Sequence, residues 1–289
     1  MAFIAAACGG NDGVEATQDA VPGFDGGEQD ENPPATTAPI QAPPVEQPVT
    51  QETTTLDPAD VSTELEEENE WLVDVLHVND DVQLIPTFDG PNGNQTTLFD
   101  INAIDGVEWE YPLLAETHFG NRLALLVDEF DSTGAWAKVF VPIRPNGTTT
   151  WVQTAFFETK SHDYHITIDL SDNSVEVFKG NDPAPIVSQV AVSGKPSRPT
   201  PVVRSYIDEK IPGGSLSPAY GDWVLSIAAF SESLGTFGGG GMPKLALHGT
   251  NQPELMGQYA SSGCVRIPNE VVSFIAETVP VGTIVDIIP

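Results

Sequence analysis

The chain is 289 residues long, with 42 acidic and 11 basic side chains and a formal net charge of -31. That balance excludes a phosphate-binding surface, which needs clustered Lys and Arg, so no nucleic-acid partner is expected. Two cysteines, Cys8 and Cys264, are too few for a disulfide scaffold or a multi-thiolate zinc site, and no apolar run reaches the roughly 18 residues of a membrane-spanning helix.

Residues 1–8 are apolar and end in small residues just before Cys8-Gly9-Gly10. They resemble the end of a bacterial lipoprotein signal, in which the cysteine is cleaved and lipidated. The resemblance implies an exported protein of the cell envelope, whose only membrane contact is a lipid on Cys8. Residues 9–70 follow with 16 Asp and Glu, eight Pro and one aromatic, Phe24. Such a segment repels itself and has little to bury, so it reads as a disordered acidic tether. All 11 basic residues come after position 121.

Over 71–160 short strands are expected at 72–78, 82–86, 123–130, 135–141 and 149–153. Turn signals such as Asp89-Gly90-Pro91-Asn92-Gly93 and Pro145-Asn146-Gly147 separate them. Ala135 to Pro142 alternates small or polar with bulky apolar residues, as a half-buried strand does. Together these resemble a small SH3-like barrel, with a β-sandwich of purely packing role as the alternative. The acidic run Glu64 to Glu70 lacks the Gly-punctuated spacing of a calcium loop.

A second β-rich unit is expected over 161–289. His165 to Leu170 alternates, Ser171-Asp172-Asn173 turns, and Ser174 to Phe178 returns as a hairpin partner. Further strands are placed at 186–193, 202–208, 223–228, 244–248 and 283–288. One helix is expected at about 269–278, where Val271, Val272, Phe274 and Ile275 make an apolar face and Pro280 ends it. His162 and His165, three apart on extended chain, fall on opposite faces and do not suit a metal pair. The tetraglycine Gly238–Gly241 lacks the Lys-Ser/Thr of a phosphate loop and reads as a flexible lead into the 244–248 strand.

Two segments carry chemistry: Leu245-Ala246-Leu247-His248-Gly249-Thr250 and Ser261-Ser262-Gly263-Cys264-Val265-Arg266. A lone cysteine is most often a buried apolar residue, and a lone histidine at a strand end is usually structural. Three features point elsewhere. Cys264 is the only cysteine after the acidic segment. It follows Gly263 and stands shortly before a helix, where N–H groups lower a thiol pKa and bind an oxyanion. His248 lies 16 residues earlier at a strand end. An imidazole and a thiol brought together across such a loop form the minimal unit of cysteine acyl transfer.

These two segments, in this order and spacing, resemble the active-site signature of the L,D-transpeptidase (YkuD-like) catalytic domain. The likeness covers about the last 125 residues. Ser193-Gly194-Lys195-Pro196, Tyr220-Gly221 and Val279-Pro280-Val281-Gly282-Thr283 add to it. It implies a mainly β architecture, an SH3-like module followed by a β-sandwich catalytic domain with one or two short helices. Cys264 would be the nucleophile, and His248 the general base and later acid. The Gly249 carbonyl would orient the imidazole, and the N–H groups of Gly263 and Cys264 would hold the oxyanion. Arg266, Ser262 and Tyr220 would meet the substrate, with Arg266 equally suited to a structural ion pair. Ser262 stands where most members of the family have a histidine. The implied partners are peptidoglycan stem peptides, joined 3→3 through a Cys264 thioester, and carbapenem β-lactams. No cofactor is implied. Hydrolysis of the same thioester, an L,D-carboxypeptidase outcome, and a non-catalytic wall-binding protein are the alternatives.

Overall fold

The computed structural model describes residues 69–236 and 242–289. The readings made above on Cys8, on the acidic tether before residue 69 and on Gly238–Gly241 lie outside them. The described chain is mainly β with one α-helix.

The N-terminal part holds nine strands: β1 (Val73–Val78), β2 (Thr87–Phe88), β3 (Gln95–Thr96), β4 (Phe99–Ile101), β5 (Glu108–Glu110), β6 (Ala124–Phe130), β7 (Trp136–Phe140), β8 (Thr149–Gln153) and β9 (Phe157–His162). Seven of them form one sheet in the order β3-β2-β8-β7-β6-β1-β9, and β4 and β5 pair as a separate hairpin. The expected strand over 82–86 is reduced to a single bridge between Leu84 and Leu114. Arg122 explains part of this. Its guanidinium takes the carbonyl of Val82, at the start of that segment, and that of Asn79 just before it. The core of this part is aliphatic and includes Leu76, Leu125, Val139 and Val152.

The C-terminal part begins at Tyr164. It comprises β10 (Tyr164–Asp169), β11 (Ser174–Lys179), β12 (Val187–Val190), β13 (Ser193–Gly194), β14 (Val203–Pro212), β15 (Trp223–Phe230), β16 (Lys244–His248), β17 (Tyr259–Ser261), β18 (Val265–Arg266), helix α1 (Asn269–Thr278) and β19 (Ile284–Ile288). Eight strands form a mixed sheet in the order β12-β11-β10-β19-β14-β15-β16-β18. The β10–β11 hairpin turns at Asn173, whose φ of 53° suits an Asn in that tight turn.

Strand β15 is buried along nearly its whole length because both faces are covered. Leu225, Ile227 and Ala229 join Val272 and Ile275 of α1 in the main core. Val224 and Ala228 face the other way. Ala228 meets Leu126 of β6 and Tyr206 of β14, so the two parts of the chain share a buried seam. At another point of contact Trp71 stacks on His165 at 3.6 Å between ring centres, and His165 stacks in turn on Phe178.

Candidate active site

The period of two along a strand decides which side chains meet. In β16, Leu245 and Leu247 enter the main core, while Ala246 falls in a separate cluster on the opposite face. His248 shares that face with Ala246. Strand β18 lies parallel to β16 with Leu247 opposite Val265 and His248 opposite Arg266. Val265 enters the main core, so Cys264 and Arg266 point to the face that carries Ala246 and His248. The fold thus brings His248, Cys264 and Arg266 together from two adjacent strand ends.

His248 is 1 % exposed. Its Nδ1 lies 2.6 Å from the Gly249 carbonyl oxygen. A carbonyl only accepts, so Nδ1 carries the hydrogen and donates. Nε2 is therefore the basic nitrogen, and it makes no hydrogen bond to the described residues. Burial, and next the charge of Arg266, push the imidazole pKa down to about 3, against the opposing main-chain contacts of Gly249 and Tyr220. At neutral pH the ring is an uncharged base. Tyr220 is buried and packs edge-on to it, with ring centres 5.0 Å apart.

The turn after His248 is held by close backbone packing. A side chain at Gly221 would approach the Gly249 Cα to 2.7 Å and the Thr250 N equally closely. Gly221 also has φ 64°, which L residues rarely adopt. Asn269, at the start of α1, accepts a 3.0 Å hydrogen bond from the Thr250 N–H. Sequence reasoning passed over Asn269 because its partner lies 19 residues away; its place at the helix start was the only available signal.

Cys264 is 2 % exposed and packs with Ile211, Tyr220, Val224 and Ala246. Its Sγ lies 4.0 Å from the Lys244 carbonyl oxygen. The residue is disulfide-bonded in this structure, so any thiol chemistry belongs to the reduced protein. Gly263 has φ 118°, a backbone geometry that favours glycine. Its N–H donates to Ser261 Oγ at 3.1 Å, and that hydroxyl donates to the Cys264 carbonyl at 2.5 Å. An oxyanion held by the Gly263 N–H must therefore displace Ser261, a residue the sequence reading gave no role.

Arg266 is 7 % exposed and donates to Gln252 Oε1 at 3.2 Å. Ser262 is buried and accepts a 3.2 Å hydrogen bond from Arg198 Nη1. Thr200 ties the same region together: its hydroxyl donates to the Gly263 carbonyl at 2.8 Å and accepts from the Gly194 N–H. Beside that contact lies a cavity of about 300 Å³, lined by residues that include Leu170, Pro196, Pro199 and Tyr259.

The buried neutral imidazole has a consequence for stability. The folded-state pKa of His248 lies below the unfolded value of 6.5, so the unfolded chain takes up the extra proton as pH falls through 6.5. Its contribution is complete above pH 6.5 and is lost on acidification, by on the order of 1 kcal/mol per pH unit. Burial shifts His77, His162 and His165 the same way. Urea unfolding at pH 7 and pH 5 is expected to show a larger loss for the wild type than for His248→Asn. Equal losses would contradict a neutral buried His248.

Residues 163–287, somewhat less than half of the chain, match the L,D-transpeptidase catalytic domain, YkuD. The YqjB protein of Bacillus subtilis (strain 168), which carries an L,D-transpeptidase name, is 46 % identical over 37 residues. That stretch is 13 % of this chain and only 21 % of the relative. Among solved structures, an L,D-transpeptidase from Mycobacterium smegmatis is 16 % identical, covers 57 % of this chain and 82 % of its own, and has a TM-score of 0.35. L,D-transpeptidase 3 from Mycobacterium tuberculosis, solved with a faropenem-derived adduct, is 14 % identical over 72 % of this chain and 93 % of its own, also with a TM-score of 0.35.

Proposed function

We propose that the reduced protein is a peptidoglycan L,D-transpeptidase acting in the cell envelope. Cys264 Sγ attacks the amide carbon between the third stem residue, a diamino acid, and the terminal D-alanine. His248 Nε2 takes the thiol proton and gives it to the departing D-alanine nitrogen as the C–N bond breaks. The thioester is then attacked by the side-chain amine of a neighbouring stem. A new amide forms, the Cys264 sulfur leaves, and the amine's proton passes through Nε2. The product is a 3→3 crosslink.

The observation that carries this reading is the 2.6 Å contact between His248 Nδ1 and the Gly249 carbonyl. It fixes the tautomer that leaves Nε2 basic, which is what a carboxylate does for the histidine of a serine triad. The family match over 163–287 supports the substrate class.

The test is intact-mass measurement of the protein with meropenem under a reductant. A β-lactam ring opens on acylation without losing atoms, so the wild type is expected to gain one full meropenem mass. Cys264→Ala is expected to gain none. No adduct on the wild type, or an adduct on the alanine variant, would defeat the proposal. Mass spectrometry of muropeptides identifies the product: trimmed stems without 3→3 dimers would make the enzyme a carboxypeptidase.

A further inference from the structure

The cluster around Cys264 is not built from the catalytic sheet alone. Phe119, from the turn after β5 in the N-terminal part, packs against it, as do Leu216 and Leu234. Phe119 is half-buried, while its neighbours His118 and Gly120 are exposed. The turn is closed by its own backbone, with the Thr117 N–H donating to the Asn121 carbonyl at 2.8 Å. Gly120 takes φ 82° at its tip.

The turn is also fastened to the catalytic sheet. Glu209 Oε1 accepts from the Thr117 hydroxyl and from Asn121 Nδ2, the latter at 2.7 Å. Glu209 belongs to β14 and is 4 % exposed. Ile211, two residues on and on the same strand face, is a member of the Cys264 cluster. One strand face therefore does two things: Glu209 holds the turn by its ends, and Ile211 belongs to the cluster against which the turn's ring packs. A buried carboxylate with two donors is a directional anchor, unlike a greasy contact that can slide.

We propose that Phe119 is a wall of the Cys264 site, supplied by the N-terminal part of the chain, and that it sets the size of the group that reaches the sulfur. The N-terminal part is then a component of the site and not an appendage beside it. This deepens the proposed acyl transfer, and its test does not depend on that reading.

The experiment uses the full chain, reduced, and follows alkylation of Cys264 by peptide mapping, so that Cys8 is scored separately. Iodoacetamide and a bulky N-benzyl analogue are compared. In Phe119→Ala the bulky reagent is expected to gain about tenfold relative to the small one, and in Phe119→Trp it is expected to lose. Phe119→Leu, which keeps the turn filled, stays near the wild-type ratio and provides a folded control should the alanine variant fail to fold. A parallel series at the anchor, Thr117→Val with Asn121→Ala, is expected to shift the ratio in the same direction as Phe119→Ala, because the turn is freed. A reagent ratio unchanged across Phe119→Ala, Phe119→Trp and the anchor variant would overturn the proposal. A shifted ratio in a protein that takes no meropenem would leave the wall standing and defeat the acyl-transfer reading.

Discussion

His248→Asn is expected to lower kcat for stem-peptide transfer by roughly 10²- to 10⁴-fold, the span that a positioned general acid–base contributes. The substitution is chosen for what it keeps. An Asn amide nitrogen falls near the place of Nδ1, so a donor to the Gly249 carbonyl is retained, while the basic Nε2 disappears. A thiol is a far weaker nucleophile than a thiolate. Without a base it attacks slowly. KM is expected to change far less than kcat, because the proton transfers through Nε2 belong to the transition state and not to the bound ground state. A His248→Asn variant with kcat within threefold of the wild type would remove the imidazole from the mechanism.

The same geometry predicts the pH profile. Burial and Arg266 hold the imidazole neutral down to a pKa of about 3. The free enzyme therefore starts with a neutral imidazole. No acid limb is expected in kcat/KM between pH 6 and 7, where an ordinary histidine would titrate. A limb there would mean that reduction or substrate binding had hydrated the ring.

Much of the β architecture was legible because alternation and turn residues are local signals. Ser174 to Phe178 alternates in sequence and is alternately buried in β11, and the helix over 269–278 was legible, although of its expected apolar face Phe274 is exposed and Ala276 is buried instead, beside Val272 and Ile275. The two-residue strands β13 and β18 left no such signal. Each is too short to have a period, and each forms because a distant segment offers it a register. The site divides in the same way. His248 and Cys264 stand out by residue type and spacing. Asn269, Ser261, Arg198 and Phe119 do not, because their roles come from partners that only the fold places beside them. Arg122 worked against a local signal, capturing the Val82 carbonyl, which the 82–86 pattern assigned to a strand.

Asp100→Ala is expected to destabilise the protein by roughly 3–5 kcal/mol, the cost of leaving one member of a buried ion pair alone. Asp100 and Arg144 are each no more than 3 % exposed. The guanidinium meets both carboxylate oxygens, Nε at 3.1 Å and Nη2 at 2.5 Å, and the Arg144 backbone N–H donates to Oδ1 at 2.8 Å. Removing the carboxylate thus orphans a charge and a main-chain donor together. At about 2–4 °C per kcal/mol for a folded part of this size, Tm should fall by roughly 10 °C. Pairing Asp100→Leu with Arg144→Met removes the charge but not the orphaned N–H, so it should restore stability only in part; full restoration would show that the backbone contact contributes nothing. The pair also reaches the site. Arg144 Nη1 donates to the Gly235 carbonyl at 3.2 Å, and the neighbouring Leu234 packs against the Cys264 cluster. The double variant, though more stable than Asp100→Ala, should therefore still differ from the wild type in the rate at which Cys264 is acylated. Wild-type acylation in the double variant would confine Arg144 to stability alone.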